Sequence, residues 1–381
     1  MKKIAVLGST GSIGQSTLKV VESHPSDFEV MALGVHSNIE KLARQIIQFH
    51  PKIVAVFDPE KAAELATFTG LPPVKIVSGE GGMREIASME GTEFIVMAIV
   101  GMAALGPTLA AIDSQKTVGL ASKEVLAAAG EFVMKRAKSK GAHILPIDSE
   151  HSALFQCLLG EERANISRLI LTASGGPFRH HTQTMLEQVT VKEALAHPTW
   201  KMGPKVTIDS STLMNKGLEM IEASFLFDFP PEKISIVVHP QSIVHSFVEC
   251  VDGTLLAQMG APNMIYPIQY ALTYPERKPT PLPPFDLFCG GRLDFYPPAL
   301  ENFPAIELAY SAMRDKKSLP CYLNAANEVL VEGFLQGRIT WKQIMTYLEQ
   351  LIEKHSPRSI TSLEEVFAVD REAREEAQRR L

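Results

Sequence analysis

The sequence predicts an α/β protein in three parts: an N-terminal parallel sheet, a central α+β domain and a C-terminal helical bundle. Three observations predict it. The first 150 residues alternate short apolar runs with longer segments of helical spacing, the pattern of βαβ units whose strands are covered on both faces. From about 151 to 275 strand-like and helix-like runs are mixed, and residues 304–381 read almost wholly as helices. At 381 residues the chain has room for two or three domains of ordinary size.

In chain order, the N-terminal strand-like runs are KIAVLG, FEVMALG, KIVAVFD, EFIVMAIVG, TVGLASKE and HILPIDSE. Between them, residues 38–48 and 61–66 space their apolar positions as a helix does. In the central part SALFQCLLG, MLEQV and GLEMIEASFLF read as helices, and RLILTAS, KISIVVH and SIVHSFVEC as strands. The stretch YPERKPTPLPP, followed by FCGGRLDFYPP, cannot continue a helix or a central strand. It reads as a linker over 275–303. Beyond it, Thr340 to Gln343 and Ser362 to Glu365 each have capping-box spacing ahead of an amphipathic run. The predicted division is therefore 1–150, 151–274, 275–303 and 304–381.

Composition narrows the function class. Hydrophobic residues make up 45% and charged residues 21% of the chain, ordinary usage for a folded domain. With 37 basic and 43 acidic residues the net charge is −6, which gives no general attraction to nucleic acid or anionic membrane. A small-molecule ligand is expected. Cys157, Cys250, Cys289 and Cys321 are scattered, without the clustering that zinc or redox sites need, and read as reduced thiols. The apolar run in MKKIAVLGST meets glycine too early for a signal peptide, and no stretch approaches bilayer-spanning length. A cytoplasmic protein is expected.

Strand KIAVL runs into Gly8-Ser9-Thr10-Gly11-Ser12-Ile13-Gly14 and then into helix-like QSTLKVVES. Glycines in this strand-to-helix context let the backbone approach a pyrophosphate, whose charge suits the N–H groups of a helix start. The segment 1–150 is therefore read as a Rossmann-like dinucleotide domain, although the spacing is GxxGxxG and a ligand-free glycine turn is the plain alternative. After the second strand comes Val35-His36-Ser37-Asn38, with no carboxylate to repel a 2′-phosphate. That favours NADPH over NADH, while no arginine or lysine in the tetrapeptide adds to the preference.

At the end of the last N-terminal strand stands Pro146-Ile147-Asp148-Ser149-Glu150-His151. Residues two apart on a strand share a side, so Asp148 and Glu150 can converge at the carboxyl edge of the sheet, where all-oxygen ligation suits Mg²⁺ or Mn²⁺. An exposed acidic turn is the alternative. Downstream, Thr172-Ala173-Ser174-Gly175-Gly176-Pro177-Phe178 offers a hydroxyl and backbone N–H groups to phosphate oxygens. In IDSSTLMNKGLE, Ser210, Asn215, Lys216 and Glu219 are close in sequence. If residues 212–222 are helical, Asn215, Lys216 and Glu219 share a face; an ordinary exposed ion pair is the alternative for Lys216 and Glu219. Between the clusters, His197-Pro198-Thr199-Trp200-Lys201-Met202-Gly203-Pro204 reads as a loop. Its Trp200 is costly on a solvated loop unless it covers something, as a lid over substrate or as packing against a neighbouring domain.

The blocks GSTGSIG, LASKE, PIDSEHSA, TASGGPF, HPTWKMGPKVTIDSSTLMNKGLE and HPQSIVHS, in this order and over nearly the whole chain, closely resemble the 1-deoxy-D-xylulose 5-phosphate reductoisomerase family of the non-mevalonate isoprenoid pathway. The resemblance implies conversion of that ketose phosphate to 2-C-methyl-D-erythritol 4-phosphate through a rearranged aldehyde that NADPH reduces. By residue match it implies that Gly8, Thr10, Gly11, Ser12 and Ile13, with Asn38, Ser122, Glu124 and Gly203, bind NADPH. Asp148, Glu150 and Glu219 match metal ligands for Mn²⁺ or Mg²⁺, with Co²⁺ a further candidate. Lys123 and Ser149 match residues that touch the substrate backbone, and Ser174, Ser210, Asn215 and Lys216 match its phosphate clamp. His197, Trp200 and Met202 fall on the closing loop, and His245 matches a further family histidine. A homodimer and inhibition by fosmidomycin are also implied. The family often has a basic pair before the asparagine where this chain has His36-Ser37, so cofactor selectivity is where it departs. Two other classes need less of the pattern: a metal-independent NADPH dehydrogenase, and a non-catalytic NADPH sensor.

Overall fold

A computed structural model of the chain describes residues 1–289 and 291–381, without the side chain of Cys289. Gly290, inside the expected linker, lies outside the described residues, as does the thiol expected at Cys289. The chain divides into two compact units. One comprises Met1–Val125, Val133–Ser152 and Asn263–Pro284; the other comprises Leu126–Phe132, Ala153–Pro262 and Phe285–Leu381.

The first unit is a seven-stranded sheet. Its strands are β1 (Lys2–Leu7), β2 (Phe28–Val35), β3 (Ile53–Val56), β4 (Lys75–Ser78), β5 (Phe94–Met97), β6 (Thr117–Leu120) and β7 (Ile144–Pro146). They lie in the order β4-β3-β2-β1-β5-β6-β7, every pair parallel. Helices α1 (Ser12–Ser23), α2 (Ile39–Phe49), α3 (Pro59–Leu65), α4 (Gly79–Ser88), α5 (Leu105–Asp113) and α6 (Lys123–Lys140) alternate with the strands, and α7 (Ser149–Leu158) follows the last. The six expected strands form; β4 was not expected, because KIVS at a sheet edge is half exposed and carries no buried apolar run. Parallel strands need crossover helices, and their apolar side chains fill both faces: Ile4, Ala5, Val6 and Leu7 of β1 are wholly buried. Strand order reverses between β1 and β5, which opens a crevice at the carboxyl ends of these strands.

The second unit holds a four-stranded sheet of β8 (Ile166–Ala173), β9 (Ile234–Val238), β10 (Val244–Cys250) and β11 (Leu255–Met259), ordered β11-β10-β8-β9. Strand β8 runs parallel to β9 and antiparallel to β10. Short helices α8 (Gln183–Leu186) and α9 (Val191–Ala194) lead to α10 (Pro204–Thr212) and α11 (Met214–Leu226). The C-terminal helices are α13 (Ala305–Asp315), α14 (Leu319–Leu335), α15 (Trp341–Lys354) and α16 (Leu363–Gln378). Both expected capping boxes form, at Thr340 with Gln343 and at Ser362 with Glu365. Gly217 brings α11 against α13, where a Cβ would stand 2.8 Å from that of Ala309.

The units run differently from the four-part division expected above. Helix α12 (Ile265–Thr273) belongs to the first unit, where it packs on α1; its residues are almost all apolar and buried, so it follows the core it covers. The prolines up to Pro284 go with it. The C-terminal helices share a unit with α10 and α11, because α13 packs on α11 and α14 on α10. Cys157, Cys250 and Cys321 are free thiols. Among the described residues no helix is long and apolar enough to cross a membrane.

Candidate functional site

In the first unit, β1 ends at Leu7 and the chain turns at Gly8, whose φ of +88° is left-handed backbone that a side chain would strain. The backbone N–H groups of Gly8 and Ser9 both donate to Gly34 O, at 2.8 and 3.0 Å. Helix α1 then begins at Ser12 with Gly11 as N-cap and no side-chain cap, the arrangement that leaves helix-start N–H groups to an anion. Thr10 and Ile13 are half buried beside the exposed Gly11 and Ser12. The loop is tied to α2: Ser9 Oγ donates to Gln45 Oε1 (2.7 Å), Gln45 Nε2 donates back to Ser9 O (2.9 Å), and Lys41 Nζ reaches Thr10 O (3.5 Å). Asn38 caps α2 by accepting from Lys41 N.

The carboxyl ends of β5, β6 and β7 carry the next group. Ser122, the N-cap of α6, donates to Ile99 O, and Lys123 and Glu124 begin the helix, all three buried. Spacing alone predicts Asp148 and Glu150 two apart on one strand. Instead β7 ends at Pro146 and Ser149 opens α7, so Asp148 immediately precedes the helix and Glu150 lies in its first turn. A helix start favours acidic side chains, and the strand stops once Ile147 N has met Leu120 O. Lys123 Nζ stands 2.6 Å from Asp148 Oδ2, and Ser149 Oγ donates to Glu150 Oε2 at 2.5 Å.

In the second unit, β8 ends at Ala173 and the chain turns through Ser174, Gly175 (φ +82°) and Gly176 (φ +65°). Ser174 Oγ lies 2.9 Å from His197 Nε2. His197 Nδ1 accepts from the backbone N–H groups of Thr199 (3.2 Å) and Trp200 (2.9 Å). A nitrogen that accepts carries no proton, so His197 is neutral, its Nε2–H donates to Ser174, and the serine hydroxyl proton is left to meet a further acceptor. Burial, with the charge of Arg179 nearby, agrees by pushing the imidazole down to about 4. Trp200 is half buried on this loop with its ring centroid 6.2 Å from that of His245, while Met202 is half buried and Gly203 exposed as N-cap of α10.

Ser210 lies buried near the end of α10. Leu213 in left-handed backbone then separates α10 from α11, so of residues 212–222 Thr212 ends one helix and the rest from Met214 belong to the next. Asn215, Lys216 and Glu219 do share a face of α11. Asn215 Nδ2 donates to Glu219 Oε1 at 2.5 Å and Lys216 Nζ pairs with Glu219 Oε2. Glu219 is only 1% exposed and Lys216 3%, which rules out an ordinary solvated ion pair. Arg179 is a residue that sequence reasoning missed. It follows the TASGGPF block, holds Gly176 O at 3.3 Å, and has a buried Nε without a hydrogen-bond partner among the described residues.

His245 on β10 is also buried, and burial pushes its imidazole down to about 4 against an ordinary 6.5. For such a group the unfolded chain binds more protons between those values, so its stabilising contribution is whole above pH 6.5 and is lost as pH falls through 4. On the order of 3 kcal/mol is at stake for His245. Urea unfolding midpoints are expected to fall steeply from pH 6.5 to 4, and less steeply in His245→Gln; equal slopes in the two proteins would remove the assignment.

Comparison with known proteins sets this geometry in a family. Residues 4–130 match the family model for 1-deoxy-D-xylulose 5-phosphate reductoisomerase, residues 144–227 the model for its C-terminal domain, and residues 259–376 the DXP reductoisomerase C-terminal domain. A reductoisomerase of Protochlamydia amoebophila is 52% identical over 379 residues, covering 100% of this chain and 98% of the relative. One from Geotalea daltonii is 50% identical and covers 98% of each. Among solved structures, a DOX-P reductoisomerase in complex with NADPH, fosmidomycin and magnesium has a TM-score of 0.93 at 41% identity, covering 100% of this chain and 98% of that one. The Zymomonas mobilis enzyme in complex with NADPH has a TM-score of 0.92 at 41% identity, with 99% and 98% covered. Full-length identity at this level, on a matching fold, means that the chain belongs to the 1-deoxy-D-xylulose 5-phosphate reductoisomerase family.

Proposed function

We propose that this chain converts 1-deoxy-D-xylulose 5-phosphate to 2-C-methyl-D-erythritol 4-phosphate, rearranging the carbon skeleton and reducing the resulting aldehyde, as a step of non-mevalonate isoprenoid synthesis. The observation that carries it is the buried Asn215–Lys216–Glu219 group. Burying a carboxylate with an ammonium costs desolvation that a structural pair seldom recovers, so the group fits a binding function better than a scaffold one. A divalent ion, Mn²⁺ or Mg²⁺, bound through Asp148, Glu150 and Glu219 would supply Lewis acidity to the vicinal oxygens of the ketose. The donor set fits such an ion, being all oxygen, and Lys123 and Lys216 stand against Asp148 and Glu219 as countercharges.

Lys123 and Ser149 hold the substrate backbone. The Ser174 hydroxyl, oriented by His197, donates to the phosphate together with Ser210, Asn215 and Lys216. These contacts lie away from the bonds that change and supply orientation and the energy of closure. Trp200 and Met202 cover the substrate when the loop closes and keep out water. NADPH brings the hydride and lies on the Gly8–Gly14 loop, with Asn38, Ser122, Glu124 and Gly203 around it. Lys41, close to the Thr10 carbonyl, replaces the basic pair absent from His36-Ser37 as the cation for the 2′-phosphate. Lys41→Ala is expected to weaken NADPH binding on the order of tenfold, the scale of one charge-assisted contact, with NADH binding unchanged; equal effects on the two by fluorescence titration would exclude this role.

The assembly we expect is a homodimer. Strand β11 is a sheet edge with Leu255 52% and Met259 38% exposed, and an open apolar edge is usually covered. Water-soluble substrates accord with a cytoplasmic enzyme. Fosmidomycin, bound by the related solved enzyme, should inhibit this one. The direct test is NADPH oxidation followed by absorbance with 1-deoxy-D-xylulose 5-phosphate and Mn²⁺ or Mg²⁺. Oxidation abolished by chelator and in Asp148→Asn is expected. Metal-independent oxidation would point to a simple dehydrogenase, and NADPH binding without turnover to a sensor.

A further inference from the structure

Ser174 and Ser210 stand on different elements, the glycine turn after β8 and the helix α10. The two elements touch directly: a Cβ on Gly176 would stand 2.6 Å from Ser210 O. Close approach needs something to hold it. Trp341, first residue of α15 and 3% exposed, donates its indole N–H to Ser211 Oγ at 2.8 Å, and Ser211 donates onward to Ile208 O at 2.7 Å. The same ring meets Phe178 edge to face, centroids 5.5 Å apart at 84°. Phe178 closes the glycine turn, so one indole contacts both phosphate-facing elements. Asn327 of α14 reinforces α10 from the other flank of Ser210: its Nδ2 donates to Asp209 Oδ1 at 2.9 Å, while Lys205 pairs with Asp209 Oδ2 at 2.8 Å. The residues on either side of Ser210 are thus both bonded to helices more than 100 positions away in sequence.

We propose that Trp341 is a positioning residue for the substrate phosphate: by gripping Phe178 on the glycine turn and Ser211 on α10, it holds the Ser174 and Ser210 hydroxyls at the spacing a phosphate requires. The inference rests on the reading of Ser174 and Ser210 as phosphate donors. It also gives the C-terminal helices a part in the reaction beyond packing. An edge-to-face pair and a buried hydrogen bond are each modest, but loss of the N–H leaves Ser211 without its donor in a wholly buried place.

The test uses the full-length enzyme with NADPH and Mn²⁺. Trp341→Phe keeps a ring and deletes the N–H; Ser211→Ala deletes the acceptor, together with the hydroxyl's local bond to Ile208 O, and serves alone if Trp341→Phe folds poorly. Each is expected to raise the KM for 1-deoxy-D-xylulose 5-phosphate about tenfold, the scale of one lost buried hydrogen bond, with kcat lowered less than about threefold and the NADPH Kd unchanged. The double variant should be no worse than either single one, because both remove the same bond. Ser210→Ala is the reference. If it raises KM while Trp341→Phe and Ser211→Ala lower only the thermal midpoint, Trp341 is structural and the proposal fails with the phosphate site intact. If Ser210→Ala leaves KM unchanged, the phosphate reading itself fails.

Discussion

Glu219→Gln is expected to lose turnover on the order of 10³-fold or more, since a metal ligand supports several kcal/mol of charge stabilisation in the transition state. NADPH affinity should stay the same, because Glu219 is not among the residues proposed to hold the dinucleotide. Stability should fall as well. The substitution removes the carboxylate side of the buried Lys216–Glu219 pair, and breaking a buried pair from one side costs about 3–5 kcal/mol. The two effects are separable. In Glu219→Gln/Lys216→Met no charge is left unpaired at this pair, so most of the thermal stability should return while turnover stays absent. Retention of more than about a tenth of wild-type turnover by the single variant at saturating Mn²⁺ would be incompatible with metal ligation by Glu219.

What the sequence makes legible is what depends on local pattern. Buried parallel strands are continuous apolar runs, which is why β1, β2, β3, β5, β6 and β7 could be read directly. Strand β4 could not, and neither could β11, where LLAQM alternates only between exposed and half-buried positions. Helix α10 is not legible as a helix, because PKVTIDSST has no apolar stripe. Its residues from Thr207 to Thr212 are buried all the same, and two of them, Asp209 and Ser211, are bonded by Asn327 and Trp341, partners no local window contains. Composition of the candidate site was legible in the same uneven way. Motifs named Ser174 and His197, but the proton direction between them follows from the backbone N–H groups of Thr199 and Trp200 folding over Nδ1. Arg179 had a signal, its place just after TASGGPF, but a lone arginine after a turn is unremarked until its guanidinium is found turned inward.

Gly14→Ala is expected to have the second largest effect, through the cofactor. The added Cβ would lie 2.3 Å from Gly8 O, 2.5 Å from Ser9 Cα and 2.7 Å from Ser9 C. All three are backbone atoms, so no side-chain rotation relieves the overlap and the loop or the helix must move. The loop has little freedom to do so: Gly8 and Ser9 are bonded to Gly34 O, and Ser9 is held twice by the buried Gln45. Moving α1 instead would displace the helix-start N–H groups proposed to hold the pyrophosphate. A shift of about 1 Å at such a site is enough to cost on the order of 10²-fold, so the NADPH Kd should rise by that factor, about 2.7 kcal/mol. Lys41→Ala, which removes one cation but leaves the loop in place, should cost less and should spare NADH; Gly14→Ala should weaken both nucleotides alike, because both carry the pyrophosphate. A Gly14→Ala protein that binds NADPH within about threefold of wild type would show that the loop yields more easily than its hydrogen bonds imply, and would move the cofactor's anchor elsewhere on the first unit.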